Sequence, residues 1–135
     1  MIEIGRLHHC TIVVRDLAAS RQFYVDVLGM EQVQRPQTFD FPGQWFRKNG
    51  YEIHTLHDSF SQQLAGDPPR SPANEVPNNR HICFSILNVD AALAGLAANN
   101  IPIAAGPRDR GDGATQIYIY DPDGHLIELV HEPWG

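Results

Sequence analysis

Apolar and polar residues alternate with period two in two separated stretches of the chain. Along residues 7–14, His8, Cys10, Ile12 and Val14 share one face and Leu7, His9, Thr11 and Val13 the other. Further on, Ile82, Phe84 and Ile86 oppose His81, Cys83 and Ser85. Such alternation predicts strands with one face on an apolar layer and the other against polar contents. Each strand runs into a helix-start signal, because Asp16 and Asn88 can accept from the orphan N–H groups of a first turn. Tyr24, Val27 and Leu28 followed by Gly29 predict an amphipathic helix over about 17–28, closed by a left-handed cap. Val89, Ala92, Leu93 and Leu96, stopped by Asn99-Asn100 before Ile101-Pro102, predict its counterpart over 89–98. Short β-rich pieces follow each helix, with Asn49-Gly50 and Asp121–Gly124 as tight turns between the last two strands of each set.

The two sets are copies of one unit. Setting LHHCTIVVRDL (residues 7–17) beside NRHICFSILNV (79–89) matches His9 to His81 at an offset of 72. Setting KNGYEIHTL (48–56) beside PDGHLIELV (122–130) matches His54 to Glu128 at an offset of 74, each four residues past a turn glycine. Near-equal offsets predict two β-α-β-β-β modules, about 1–57 and 81–135. Residues 58–80 hold four prolines and little periodic apolar pattern, which predicts a linker or long surface loop.

Composition narrows the function. A chain of 135 residues with 42% hydrophobic residues has enough material for a real core without a disulfide or metal staple. Net charge is −6 and the basic residues are nine scattered arginines and Lys48, so nothing tracks a phosphate backbone and nucleic acid is not the expected partner. No stretch approaches the ~20 apolar residues of a membrane span, and the first residues do not read as a signal peptide. Two cysteines make no disulfide framework, so a cytoplasmic location is expected. Seven histidines are the compositional oddity.

The repeat selects four side chains, His9, His54, His81 and Glu128, each on a predicted strand. A single strand histidine is more often a hydrogen-bonded structural residue than a ligand; joint selection by a repeat changes that balance. Imidazole nitrogen and carboxylate oxygen form the ligand set of Zn²⁺, Mn²⁺, Fe²⁺ or Ni²⁺. Thr11 and Cys83 match each other two residues past His9 and His81 and would line the same cleft, although a thiol there also serves as a small hydrophobe. Gln116, Tyr118 and Tyr120 alternate with Ile117 and Ile119 and either orient a substrate or form a half-wet sheet face. Residues 108–113 are either a plain hairpin loop or an anion cradle assisted by Arg110. His8 falls on the face opposite His9, Cys10 points to the core, and His57, His125 and His131 receive no role.

The opening HHCTIVVRDLAASRQFYVDVLGM and the closing QIYIYDPDGHLIELV resemble the vicinal-oxygen-chelate superfamily of glyoxalase I, methylmalonyl-CoA epimerase, extradiol dioxygenases and fosfomycin-resistance transferases. The resemblance covers nearly the whole chain outside the proline-rich stretch. It implies an α+β fold in which two βαβββ modules with curved mixed sheets form a metal-binding cup, helices outside. It also implies one divalent metal ion per site, held by His9, His81 and Glu128, with His54 where glyoxalase I-like members carry a glutamate that binds metal and moves the substrate proton. His54 is a departure from that pattern. The implied activity is a glyoxalase I-like lyase or isomerase acting on a small molecule, with His54 and Glu128 catalytic and Thr11, Cys83, Arg110, Gln116, Tyr118 and Tyr120 against substrate. An extradiol dioxygenase, a fosfomycin-transferase-like enzyme and a metal-free antibiotic-binding protein are the alternatives, and a homodimer is expected.

Overall fold

A computed structural model describes residues 1–57 and 72–135. The chain divides into two compact units, one on each side of residue 66, and each repeats the same element order. In the first unit, strand β1 (His9–Val14) leads into helix α1 (Leu17–Arg21), which continues as a π-helical turn over Gln22–Val27. Strands β2 (Glu31–Val33), β3 (Gly43–Lys48) and β4 (Tyr51–His57) follow. In the second unit, β5 (Ile82–Ser85) leads into α2 (Val89–Ala98), then β6 (Ile103–Asp109), β7 (Thr115–Tyr120) and β8 (Leu126–His131). Each unit is one mixed four-stranded sheet, ordered β1-β4-β3-β2 and β5-β8-β7-β6, in which the first strand pairs parallel with the last. This is an α+β fold of two βαβββ modules.

Local chemistry explains the joints. Asp16 accepts from the N–H groups of Ala18 (2.9 Å) and Ala19 (3.1 Å), and Asn88 from that of Ala91 (2.8 Å), so both helices start where a side chain satisfies orphan donors. Asn49 and Gly50 both take positive φ, 49° and 84°, the backbone a two-residue hairpin needs between β3 and β4. Asp121 closes the β7–β8 turn by accepting from the N–H groups of Asp123 and His125, both at 2.9 Å.

Three details depart from the periodicity. The strand expected over 7–14 starts at His9, and Leu7 stays 82% exposed. The helix expected over 17–28 widens at Gln22, where π-register bonds such as Leu28 N–H to Phe23 C=O let the consecutive Phe23 and Tyr24 both be buried. Of the linker expected over 58–80, residues 58–71 lie outside the described residues. Residues 72–80 carry a 3₁₀ turn, Val76–Asn78, whose Val76 is buried against Ala105, Tyr118 and Leu126.

In the first unit the core lies on one face of the sheet, where Ile12, Val14, Phe46 and Ile53 are buried. The strand period therefore turns His9, Thr11, Trp45, Arg47, Glu52 and His54 to the opposite face. In the second unit Ile117, Ile119, Ile127 and Leu129 occupy one face, leaving Cys83, Gln116, Tyr118 and Glu128 on the other.

Candidate metal and substrate site

Register decides which side chains meet. In the first unit Thr11, His54 and Trp45 stand directly opposite one another across β1, β4 and β3, and the next row is His9, Glu52 and Arg47. In the second unit the equivalent row is Cys83, Glu128 and Tyr118. The pairings that the repeat suggested, Thr11 with Cys83 and His54 with Glu128, thus reappear as identical positions in two sheets.

The three rings of the first unit stack. His9 and His54 have centroids 4.0 Å apart at 13°, and His54 and Trp45 have centroids 4.0 Å apart at 5°. His54 is buried, and its Nε2 lies 2.7 Å from Glu52 Oε1, while Glu52 Oε2 accepts from Arg47 Nε at 2.6 Å. The bond from His54, reinforced by Arg47 and opposed by burial, holds the Glu52 carboxyl below the usual carboxylate range. Burial, opposed by the bond to Glu52, lowers the His54 pKa. A neutral imidazole beside an ionised carboxylate has to donate through Nε2–H, so the lone pair of His54 resides on Nδ1.

His8 also reaches this face. Its Nδ1 is 2.8 Å from Nδ1 of His9, although alternation assigns it to the opposite side. His8 precedes the ladder, so strand alternation does not govern it. A cavity of about 420 Å³ opens beside these rings, lined by His8, His9, His54, Thr11 and Trp45 together with loop residues such as Arg35.

The second unit sets a comparable arrangement around Glu128. His81 Nδ1 lies 2.8 Å from the carbonyl of Asn79, which can only accept, so that nitrogen carries the hydrogen. His81 Nε2 is 2.9 Å from Glu128 Oε2. With a hydrogen on Nε2 as well, this contact is an ion pair; without one, two acceptors face each other and a cation between them would reconcile the distance. The other oxygen, Oε1, accepts from Gln116 Nε2 at 2.8 Å, and Gln116 Oε1 accepts from Arg108 Nε at 3.1 Å. Both Glu128 and Gln116 are buried.

The remaining expected site residues divide. Tyr118 is buried and meets His81 edge-on at 5.6 Å; burial first, then the Glu128 carboxylate, raises its pKa. Tyr120 packs against the cluster of Val76, Ala105, Tyr118 and Leu126. Desolvation and then the neighbouring Glu128 carboxylate push the Cys83 thiol up to about 12; because Cys83 keeps an exposed surface, the carboxylate is the firmer cause. Arg110 is engaged on the surface by Asp112 (2.6 Å) and Glu132 (2.8 Å), with Trp134 beneath its guanidinium. Glu52 was missing from the sequence reading. Its signal, a carboxylate two residues before His54 on the same strand face, has no partner in the repeat, because Leu126 stands in the corresponding place.

These donors suit a divalent ion in kind: imidazole nitrogens and carboxylate oxygens, with His54, His81 and Glu128 each oriented by a further hydrogen bond, as metal ligands characteristically are. Among the described residues no three His, Cys, Asp or Glu side chains are already gathered into one ligand group.

Two βαβββ modules, each of which brings a histidine beside a carboxylate, define a protein of the glyoxalase-type architecture. The sequence profile of the Glyoxalase/Bleomycin resistance protein/Dioxygenase superfamily matches residues 6–129, and the chain belongs to that superfamily. It is 28% identical over 131 residues to Glyoxylase I 4 of Arabidopsis thaliana, covering 96% of this chain and 72% of the relative. It is 31% identical over 132 residues to Metallothiol transferase FosB of Staphylococcus epidermidis, covering 95% and 82%. Among solved structures, a glyoxalase/dioxygenase from Nostoc punctiforme superposes with a TM-score of 0.76 at 28% identity, covering 95% of this chain and 91% of that one. No helix among the described residues is long and apolar enough to cross a membrane.

Proposed function

We propose that the protein is a divalent-metal-dependent enzyme of the glyoxalase I-like lyase or isomerase type. His9, His81 and Glu128 would hold one ion, Zn²⁺, Ni²⁺, Mn²⁺ or Fe²⁺, with His54 either its fourth ligand through Nδ1 or the proton-moving group beside it. The observation that carries this reading is the facing pair of His81 Nε2 and Glu128 Oε2 at 2.9 Å, with the other nitrogen of His81 committed to a carbonyl. When bound, the ion supplies Lewis-acid polarisation of two neighbouring substrate oxygens. In the proton-moving role His54, with its pKa lowered by burial, accepts a substrate proton at Nδ1, and the ionised Glu52 stabilises the imidazolium through Nε2–H. The imidazolium of His54 would return that proton to the neighbouring substrate atom, and Glu128, its Oε1 fixed by Gln116, would hold the ion through Oε2. Thr11 and Cys83 line the two strand ends against substrate, and a homodimer is the proposed assembly.

The test is elemental analysis of untagged wild type, His9→Ala and His54→Ala, with turnover on α-oxoaldehyde–thiol adducts, acyl-CoA thioesters and catechols. The reading expects a stoichiometric divalent metal that His9→Ala removes, and turnover on one of the first two classes. Metal-free wild type that reconstitution cannot load would refute it. Turnover on catechols alone would replace it with the dioxygenase reading.

A further inference from the structure

The cavity of the first unit has a chemistry that the proton-moving groups do not use. Between β2 and β3 the loop over 34–42 brings Arg35, Phe39 and Phe41 to its wall beside Trp45. Phe39 stands at 84° to Trp45 with centroids 5.4 Å apart, and Phe41 lies 5.2 Å from Phe39, so flat aromatic walls meet at a corner. Phe39 remains 37% exposed, so part of its ring surface is open among the described residues.

Arg35 is the one full positive charge on this wall. Its guanidinium lies over Phe41 at 5.1 Å and Phe39 at 5.9 Å, and its Nη2 donates to the carbonyl of Phe41 at 2.5 Å. Among the described residues no carboxylate pairs with it, and no Asp or Glu lines the cavity. Gly43 makes room for it: a Cβ there would stand 2.9 Å from Arg35 Nη1 and 2.3 Å from the carbonyl of Thr55. A cation held by a carbonyl, framed by aromatic rings and lacking a counter-charge is poised for an anion from outside.

We propose that this cavity binds a small planar aromatic carboxylate, its ring in the corner of Trp45 and Phe39 and its carboxylate on Arg35. Its volume, about 420 Å³, sits at the small end of the range for small-molecule sites, enough for one or two fused rings. A phosphate dianion fits less well, because a single guanidinium with one nitrogen already committed supplies few donors. The assignment goes beyond the proposed reaction and stands on the lining of this cavity alone.

Calorimetric titration with 2-naphthoate, its neutral analogue 2-naphthalenemethanol and cyclohexanecarboxylate tests it, on protein as purified and after EDTA. The expected result is saturable 2-naphthoate binding at least about tenfold tighter than either comparison ligand, unchanged by EDTA. Arg35→Gln should collapse the acid-to-alcohol ratio to about one while alcohol binding survives, which also shows that the variant is folded. Should that variant not fold, Arg35→Lys, which keeps the charge and loses the fork, should reduce the ratio severalfold. Trp45→Leu should weaken both aromatic ligands about tenfold. Equal binding of the alcohol, a ratio unmoved in the Arg35 variants, or binding abolished by EDTA would overturn the assignment. Absence of metal with intact 2-naphthoate discrimination defeats only the enzyme reading; a loaded metal with no discrimination defeats only this one.

Discussion

Replacing Glu52 with leucine probes the orientation of His54 directly. Leu126 occupies the corresponding position of the second sheet and is buried there, so the apolar side chain suits the site in shape. The loss is electrostatic. Arg47, whose side chain is 53% exposed, turns to water and costs little. His54 cannot, because only 8% of its surface is exposed and Nε2–H has no second acceptor in place. A buried donor left unsatisfied costs about 1–3 kcal/mol, part of which burial of the leucine returns. A net loss of about 1–2 kcal/mol is expected, or roughly 3–8 °C in Tm for a chain of this size. Thermal melts in EDTA read the stability, and imidazole ¹⁵N shifts read the tautomer. Wild type should hold its hydrogen on Nε2, Glu52→Leu should populate both tautomers, and divalent-metal affinity should fall about 10- to 100-fold. A variant that keeps the Nε2–H tautomer and binds metal within twofold of wild type would refute the claim that Glu52 orients His54.

The metal-free protein should lose stability as pH falls below about 6.5. Both shifts point the same way: His54 and Glu52 have lowered folded-state pKa values, so the unfolded chain binds more protons and stability is retained only above the unfolded values. Melts from pH 7.5 to 4.5 should show the decline, with the part near pH 6 absent in His54→Asn; a slope identical in that variant contradicts the assignment. Gly43→Ala should destabilise by about 1–3 kcal/mol, because the new methyl collides with the Thr55 carbonyl, and an unchanged urea midpoint would refute the close approach. In EDTA at pH 7.5, Cys83 should react with iodoacetamide far more slowly than a free thiol, since a thiol at about 12 is almost wholly protonated. Glu128→Gln should accelerate that reaction; no acceleration would show that the carboxylate does not act on the sulfur.

Strand alternation made one face of each sheet legible, and the repeat selected His9, His54, His81 and Glu128 from seven histidines and sixteen acidic residues. Helix starts at Asp16 and Asn88 and the turn at Asn49-Gly50 were readable because each is decided by a side chain and its immediate neighbours. Glu52 was not readable by the same logic. A repeat finds only what both copies carry, and the carboxylate of one copy is a leucine in the other. Gln116 was expected on the polar face, but its bond to Glu128 depends on the β7–β8 register.

The sequence by itself therefore determined the elements, the faces of the strands and the kind of donor atom each module offers, all matters of near-neighbour spacing. Tertiary structure alone decided that Arg47 would hold Glu52 and Glu52 would hold His54, and that a loop arginine would share a cavity with Trp45. Those contacts join residues far apart along the chain or fixed only by cross-strand register, where a shift of one residue turns every side chain to the other face. Periodicity states which face a side chain takes; the hydrogen-bond ladder states whom it meets there.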